Sequence, residues 1–463
     1  MAQQIMHGRV PYRDLFDHKA PAIYYLLAGL LTLIQSLSVG AQIVTLRLCV
    51  VLVNALSALG LLRLGTRWRR PMTGQLAALL WLAASAVPLF NPSQLFTEPF
   101  AVCATIWAVE RLATRVSVRS AFEAGLLLAA GSLFKQTAIL ALPSLGLLLF
   151  NPGALVGAPS KRRVYRMLVA LSGGVGLPWL AVGGAFAALG ALQPFIYQVV
   201  IVNLIGYPAT SNPFEDFMSL GLKVVIVFAG PLILLAGRIK SATYRSRRES
   251  STRDLTLPAI ALLAVLQTAP TVAHPYPHYL IQVLPWFALL LAFGLMTSEG
   301  RALNERRSGP PTMQMNFFGR LGVAARPVLI ALPLVISVAL AIESTILRTD
   351  PLSRQIAIGA QIARETPANA RLLIGPAEPE YYFLSGRSPS VPYLYLLPVN
   401  QKVFPPSEVA GVVRAGGFDV VAWWIPPVQP DAPHTDDPIL TALRQTYHVA
   451  PTHVSDLIIF KRK

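Results

Sequence analysis

The stretch GRVPYRDLFDHKAPAIYYLLAGL, residues 8–30, crowds Arg9, Arg13, Asp14, Asp17, His18 and Lys19 against an apolar run that begins at once. What those six ionisable groups face depends on the nature of the remaining chain. Its 463 residues are 54% hydrophobic and only 13% charged, with a mean hydropathy of +0.54, far more apolar surface than a soluble core of this size buries. The sequence therefore reads as a polytopic membrane protein. A net charge of +17 would point a soluble protein towards nucleic acid. Here the basic residues sit mainly in short loops between apolar spans, where they orient helices in a bilayer, and nucleic-acid binding is discounted. Cys49 and Cys103 both lie inside apolar runs. They offer neither a disulfide framework nor a metal-ligand spacing, and no metal or cofactor is expected. No basic, apolar and small-residue regions follow one another at the start, so no removable signal peptide is expected.

With roughly 20 apolar residues per crossing, spans fall near 41–64, 73–90, 98–113, 167–189, 217–236, 255–272, 279–296 and 327–345. Two shorter runs, 121–134 and 137–150, flank Lys135 and Gln136. The loops give the orientation. Segments 63–70, 111–119, 161–166, 238–253 and 301–326 together carry 22 basic residues, whereas 91–97, 190–216 and 273–278 carry none. The positive-inside rule makes the first set cytoplasmic and the second extracytoplasmic. Both 111–119 and 151–166 are then inside, so the pair of short runs crosses and returns, with Lys135 near the outer face. The same parity leaves 20–38 as either a further crossing or a helix in the outer interface. Tyr24, Tyr25 and the charges at 13–19 suit an interface, where aromatic rings and charged tips reach headgroups.

After about residue 346 charges return and proline becomes frequent. Segments 370–376, 418–426 and 456–462 read as strands, separated by helix candidates 351–365, 406–415 and 437–447. This is a small α/β domain, placed outside the cytoplasm by the span before it. In its second strand Trp423 and Trp424 point one ring inward and one outward, which leaves glycan stacking and plain packing both open. The apolar outer loop 194–209 has two readings, a half-buried lid or burial against the membrane.

Five motifs now stand in order: residues 8–30, the Arg-Leu of IVTLRLCVV (43–51), TEPF (97–100), LFKQTAIL (133–140) and HYLIQVLPWFALLLA (278–292). Together they resemble the polytopic, lipid-linked glycosyltransferases of the GT-C fold, in the branch of the protein O-mannosyltransferases and the lipid A aminoarabinose transferase. The resemblance implies a GT-C-like α-helical membrane protein of the plasma (inner) membrane with a C-terminal extracytoplasmic α/β domain. Residues 1–38 would be the remainder of a first outer loop with an interfacial helix, 39–346 a transmembrane domain of about ten crossings, and 347–463 the soluble domain. It also implies inverting transfer of a sugar from a polyprenyl-phosphate carrier to a glycan, lipid or protein acceptor outside the cytoplasm, with no cofactor beyond that lipid-linked donor.

In such enzymes the second helix of the first outer loop opens with an aromatic and a Lys-Pro or His-Pro motif, which implies that Lys19 meets the lipid phosphate, with Arg13 and His18 assisting; Lys135, on the short outer turn, either meets the phosphate too or caps the hairpin. On residue types alone these cations equally well snorkel to headgroups. The family's catalytic base is an Asp, usually of an Asp-Glu pair, ahead of the segment that Met1–Gly8 matches. Three readings follow: a chain that starts late and lacks a first helix with its acid, which is the expectation; an inactive scaffold; or Asp14 or Asp17 as the base, standing where Arg13, His18 and Lys19 would hold them ionised. A local ion-pair cluster is the plain alternative for those two. Glu98, His278 and Tyr279 match positions lining the family's substrate cavity, with His274, Tyr276 and Pro277 beside them. A transporter would instead show two related halves and mid-membrane charges.

Overall fold

The computed structural model describes residues 1–68, 71–86, 96–151, 160–205, 218, 255–273, 277–296, 352–376, 378–396, 401, 403–424, 437–452 and 457–463. The expected span 327–345, and 217–236 apart from Met218, lie outside the described residues. The chain gathers into two compact units. One holds Met1–Leu46, Val182–Pro208 and Thr349–Lys463, and the other Arg47–Ala181 and Ala209–Arg348. Residues 1–38 and 349–463 thus share one unit.

Helices α1 (Ala2–Met6) and α2 (Ala22–Ile34) open the chain. The 13 residues of α2 rise about 20 Å, short of a hydrocarbon layer of about 30 Å. Next come α3 (Val39–Trp68), α4 (Pro71–Ser85), α5 (Glu98–Thr114), α6 (Val118–Phe134), α7 (Leu142–Leu148) and α8 (Lys161–Ala188). Among the described residues α3 and α8 are the helices long and apolar enough to cross a membrane. Ser117 and Ser120 form a reciprocal cap that starts α6. The run 137–150 is no continuous helix: a 3₁₀ turn, Gln136–Ala141, precedes α7, where Pro143 fits the first turn because it has no N–H to lose.

The helical unit packs around fully buried Leu61, Leu64, Trp81, Ile106, Leu128 and Trp286. Two crossings need glycine on both helices. A Cβ on Gly65 would come within 2.7 Å of the Gly74 Cα, where α3 meets α4. A Cβ on Gly125 of α6 would strike the Leu171 carbonyl and come within 2.9 Å of the Gly174 Cα of α8. Such close backbone approach is how helices associate without a hydrophobic driving force. Gly125→Val is therefore expected to lower stability by about 1–3 kcal/mol through overpacking, read as a lower unfolding temperature in detergent; an unchanged temperature would mean the helices can part freely.

Two short helices follow, α9 (Leu192–Ile196) and α10 (Val202–Ile205), joined by a wide π turn, Tyr197–Ile201. In the helical unit α11 (Thr256–Ala273) and α12 (Leu284–Met296) come next, α12 being preceded by a 3₁₀ turn at Pro277–Gln282.

The C-terminal part is an α/β layer structure. Its elements are α13 (Leu352–Glu365), β1 (Leu372–Gly375), α14 (Glu380–Leu384), α15 (Pro406–Arg414), β2 (Val420–Trp424), α16 (Pro438–Thr446), β3 (Tyr447–Ala450) and β4 (Leu457–Arg462). The sheet order is β1-β2-β4-β3, with β1 and β2 parallel and the other pairs antiparallel. Alternation along the strands sends Leu372, Ile374, Val420, Ala422 and Ile459 to one face, against Ile358 and Ile362 of α13 and Tyr381 of α14. Leu373, Val421, Trp423 and Phe460 cover the other face, against α15 and α16. The two tryptophans do occupy opposite faces, and Trp424 is stacked on Tyr381 at 4.5 Å. Leu15, from the opening stretch, lies inside the core formed with α13.

Candidate functional site

In the first unit the site grows from a strained turn. Gly8 and Tyr12 have φ of +81° and +69°. Gly8 adopts this freely, whereas a bulky residue there costs of order 1–3 kcal/mol and persists only if its surroundings hold it. Tyr12 is so held. Its ring meets Phe186 and Phe195 at 5.2 and 5.3 Å, its hydroxyl donates to the Lys19 carbonyl at 2.8 Å, and its carbonyl accepts from Gln198 Nε2 at 2.7 Å.

The turn sorts the charged residues into an exposed Arg13–Asp14 pair and a buried group around Asp17. Asp14 accepts from the Val10 N–H at 2.7 Å and from Arg13 at 2.8 and 3.0 Å. Arg13 also donates to the Leu189 carbonyl at 3.0 Å. Their pairing holds the Asp14 carboxyl below its ordinary pKa, with the Val10 N–H and Arg9 adding to the effect. Asp17 is only 3% exposed. Its Oδ1 accepts from the Tyr395 hydroxyl at 3.0 Å and the Lys19 N–H at 3.1 Å, and lies 3.7 Å from His18 Nδ1. The buried Tyr24 hydroxyl couples to this carboxylate but falls short of a well-formed hydrogen bond. Burial alone would raise the pKa of Asp17, but the charges of His18 and Lys19 and the bond from the Lys19 N–H outweigh it, and the group stays ionised below the usual carboxylate range. His18 is buried, with its carbonyl accepting from Asn203 Nδ2 at 2.6 Å. Lys19 points to solvent and has no ion-pair partner among the described residues.

In the helical unit the expected cavity residues form a second cluster. Glu98, the first residue of α5, is 1% exposed, and its Oε1 receives Lys135 Nζ at 2.5 Å, with His278 Nε2 3.9 Å away. The Lys135 ammonium also lies 3.7 Å from the centre of the Tyr279 ring, a cation–π contact. His278 stacks on Phe96 at 4.5 Å and meets Tyr279 edge-on at 4.7 Å. The sequence assigns Glu98, His278 and Tyr279 to the substrate cavity and Lys135 to the phosphate; the structure brings all four together. His274 and Tyr276, and the side chain of Pro277, lie outside the described residues. At the other end of α5, buried Glu110 accepts from Arg67 at 2.6 Å and Arg63 at 3.3 Å, which neutralises part of the basic loop at 63–70.

Several partners escaped the sequence reading. Tyr395 reaches Asp17 across 378 positions, and no local pattern marks it. Gln198 and Asn203 did leave a signal, two amides in the otherwise apolar PFIYQVVIVNLIGYPA. Among the described residues no cluster of three His, Cys, Asp or Glu side chains offers a metal site.

The arrangement of the helices and the small mixed sheet is the GT-C fold, which the chain shares with solved oligosaccharyltransferase, ArnT and arabinofuranosyltransferase structures. No family model and no curated protein matches the sequence. Among solved structures, the chain is similar to ArnT from Cupriavidus metallidurans. In its apo state the TM-score is 0.61 at 13% identity, and bound to undecaprenyl phosphate it is 0.56 at 16%; each match covers 99% of this chain and 91% of the other. It is also similar to the archaeal oligosaccharyltransferase AglB from Archaeoglobus fulgidus, in complex with an inhibitory peptide and a dolichol-phosphate, with a TM-score of 0.55 and 11% identity over 88% of this chain. The chain spans 61% of the length of that oligosaccharyltransferase. At these identities the likeness is one of fold.

Proposed function

We propose that this protein is a multi-pass glycosyltransferase that moves a sugar, with inversion, from a polyprenyl-phosphate carrier to an acceptor on the extracytoplasmic face, where its α/β layer also sits. One observation carries the reading. Of the four cations expected to meet the phosphate, Arg13 is neutralised by Asp14, His18 is enclosed and Lys135 is engaged by Glu98, while Lys19 stands exposed and unpaired among the described residues at the head of the short apolar α2. A polyprenyl phosphate keeps its tail in the bilayer and its charge at the headgroups, where an ammonium at interfacial depth meets it. The undecaprenyl phosphate and dolichol-phosphate bound by the two fold relatives support the same donor class.

In the displacement the acceptor oxygen bonds to the anomeric carbon as the carbon–oxygen bond to phosphate breaks. The electron pair leaves on the phosphate, where Lys19 stabilises the growing charge. The acceptor's proton passes to a base. We assign Asp14 and Asp17 to shaping the loop instead, because both Asp14 oxygens and Asp17 Oδ1 accept hydrogen bonds within it and Asp17 is buried. Losing one charge-assisted contact is worth about 1.5–3 kcal/mol, or about 10- to 150-fold in rate. Membranes carrying the protein, given a panel of polyprenyl-phosphate sugars, are expected to transfer from at least one, and Lys19→Ala to be slower by that factor at equal expression. Equal rates, or no transfer from any donor, would overturn the reading.

A further inference from the structure

The segment Leu192–Ile205 is apolar on its outer side, with Ile196, Tyr197, Val200 and Leu204 exposed. Its inner side carries two amides, Gln198 and Asn203, and both reach the strained turn. Gln198 Nε2 donates to the Tyr12 carbonyl at 2.7 Å, and its Oε1 accepts from the Asp17 N–H at 3.0 Å. Asn203 Nδ2 donates to the His18 carbonyl at 2.6 Å and closes back on the Val199 carbonyl at 3.0 Å. Three backbone groups of the turn that carries Lys19 are therefore held by two side chains.

On a regular α-helix, residues five apart point roughly 140° away from each other. The π turn Tyr197–Ile201 overlaps the interval between Gln198 and Asn203, and widening the helix there brings both amides to one side. Such insertions put a helix at a local disadvantage and recur at functional sites. Here the insertion meets a second unfavourable feature, the left-handed Tyr12, whose carbonyl is the one that Gln198 holds. Simple burial of an apolar loop explains neither, since it needs no π turn and no amide pair.

We propose that Gln198 and Asn203 are positioning residues that fix the direction of the Lys19 side chain towards a lipid phosphate, acting through the backbone from Tyr12 to Lys19. This rests on the assignment of Lys19 made above. The outer-loop helix is in this view a clamp on the phosphate-binding turn, its apolar side left for the membrane.

The test is a double-mutant cycle in the full-length protein in detergent, measuring the dissociation constant of undecaprenyl phosphate. Gln198→Met and Asn203→Leu, which keep size and remove hydrogen bonds, are each expected to weaken binding about 3- to 10-fold when Lys19 is present. In the Lys19→Ala background the same changes should have no further effect, a coupling that a merely structural role would not produce. Equal weakening in both backgrounds, or none in either, overturns the clamp. If Lys19→Ala itself leaves binding unchanged, the phosphate assignment fails first; if Lys19→Ala weakens binding and neither amide variant does, only the clamp fails. Asn203 is half-buried, so Asn203→Leu keeps the test decisive should Gln198→Met not fold.

Discussion

Lys135→Met is expected to cost about 3–5 kcal/mol of stability, because it leaves the Glu98 carboxylate buried without its counter-charge. Taking a charge out of water is repaid only by a close partner, and the 2.5 Å contact between Lys135 Nζ and Glu98 Oε1 is that partner. His278 at 3.9 Å is too far to replace it. Replacing both members, Glu98→Leu with Lys135→Met, should restore most of the loss, since two apolar side chains of similar volume remove the desolvation penalty together with the attraction. Thermal unfolding of the two single variants and the double variant in detergent gives the cycle. A double variant as unstable as the singles would show that the ammonium matters through the Tyr279 ring rather than through the carboxylate. The double variant also separates two roles for Lys135. If it folds and still binds undecaprenyl phosphate as tightly as the wild type, the lysine is a counter-ion alone.

Asp17→Ala is the second large effect, about 2–4 kcal/mol, from leaving the Tyr395 hydroxyl and the Lys19 N–H buried or half-buried without their common acceptor. The effect depends on pH in a defined direction. The folded pKa of Asp17 is depressed below its unfolded value near 3.9. Its contribution is then complete above about pH 4 and is lost as the pH falls through the lower, folded value. Wild type and variant should therefore differ by the full amount at neutral pH, and their unfolding temperatures should converge on acidification below pH 4. A gap that widened towards low pH would mean that Asp17 is protonated in the folded protein.

Much of the architecture was legible because it follows from water. The long apolar runs of α3 and α8 and the alternation of the strands at 372–375 and 420–424 each answer to the exclusion of water, and these four elements fall near their expected positions. Strand β3, Tyr447–Ala450, was not anticipated beyond Tyr447, the last residue of a helix candidate, since four residues with only two buried show no clear period. The breaks before α7 and α12 were missed because hydropathy sums a 3₁₀ turn and a helix alike. The candidate site was legible as a list of charges and not as an arrangement. Six ionisable groups within eleven positions marked the turn, yet which of them is free depends on Tyr395, Gln198 and Asn203, and those contacts arise only when distant segments fold together.

The proposed hold of the turn around Lys19 on an anionic isoprenoid headgroup predicts where such a lipid attaches when it is cross-linked. It is tested most directly by irradiating the protein in lipid vesicles with a polyprenyl phosphate that carries a photoreactive group beside the phosphate, and mapping the adduct by peptide mass spectrometry. The adduct is expected on the peptide containing residues 14–25, and to be competed away by unlabelled undecaprenyl phosphate. Labelling confined to other parts of the chain, with residues 14–25 unmodified, would contradict the account.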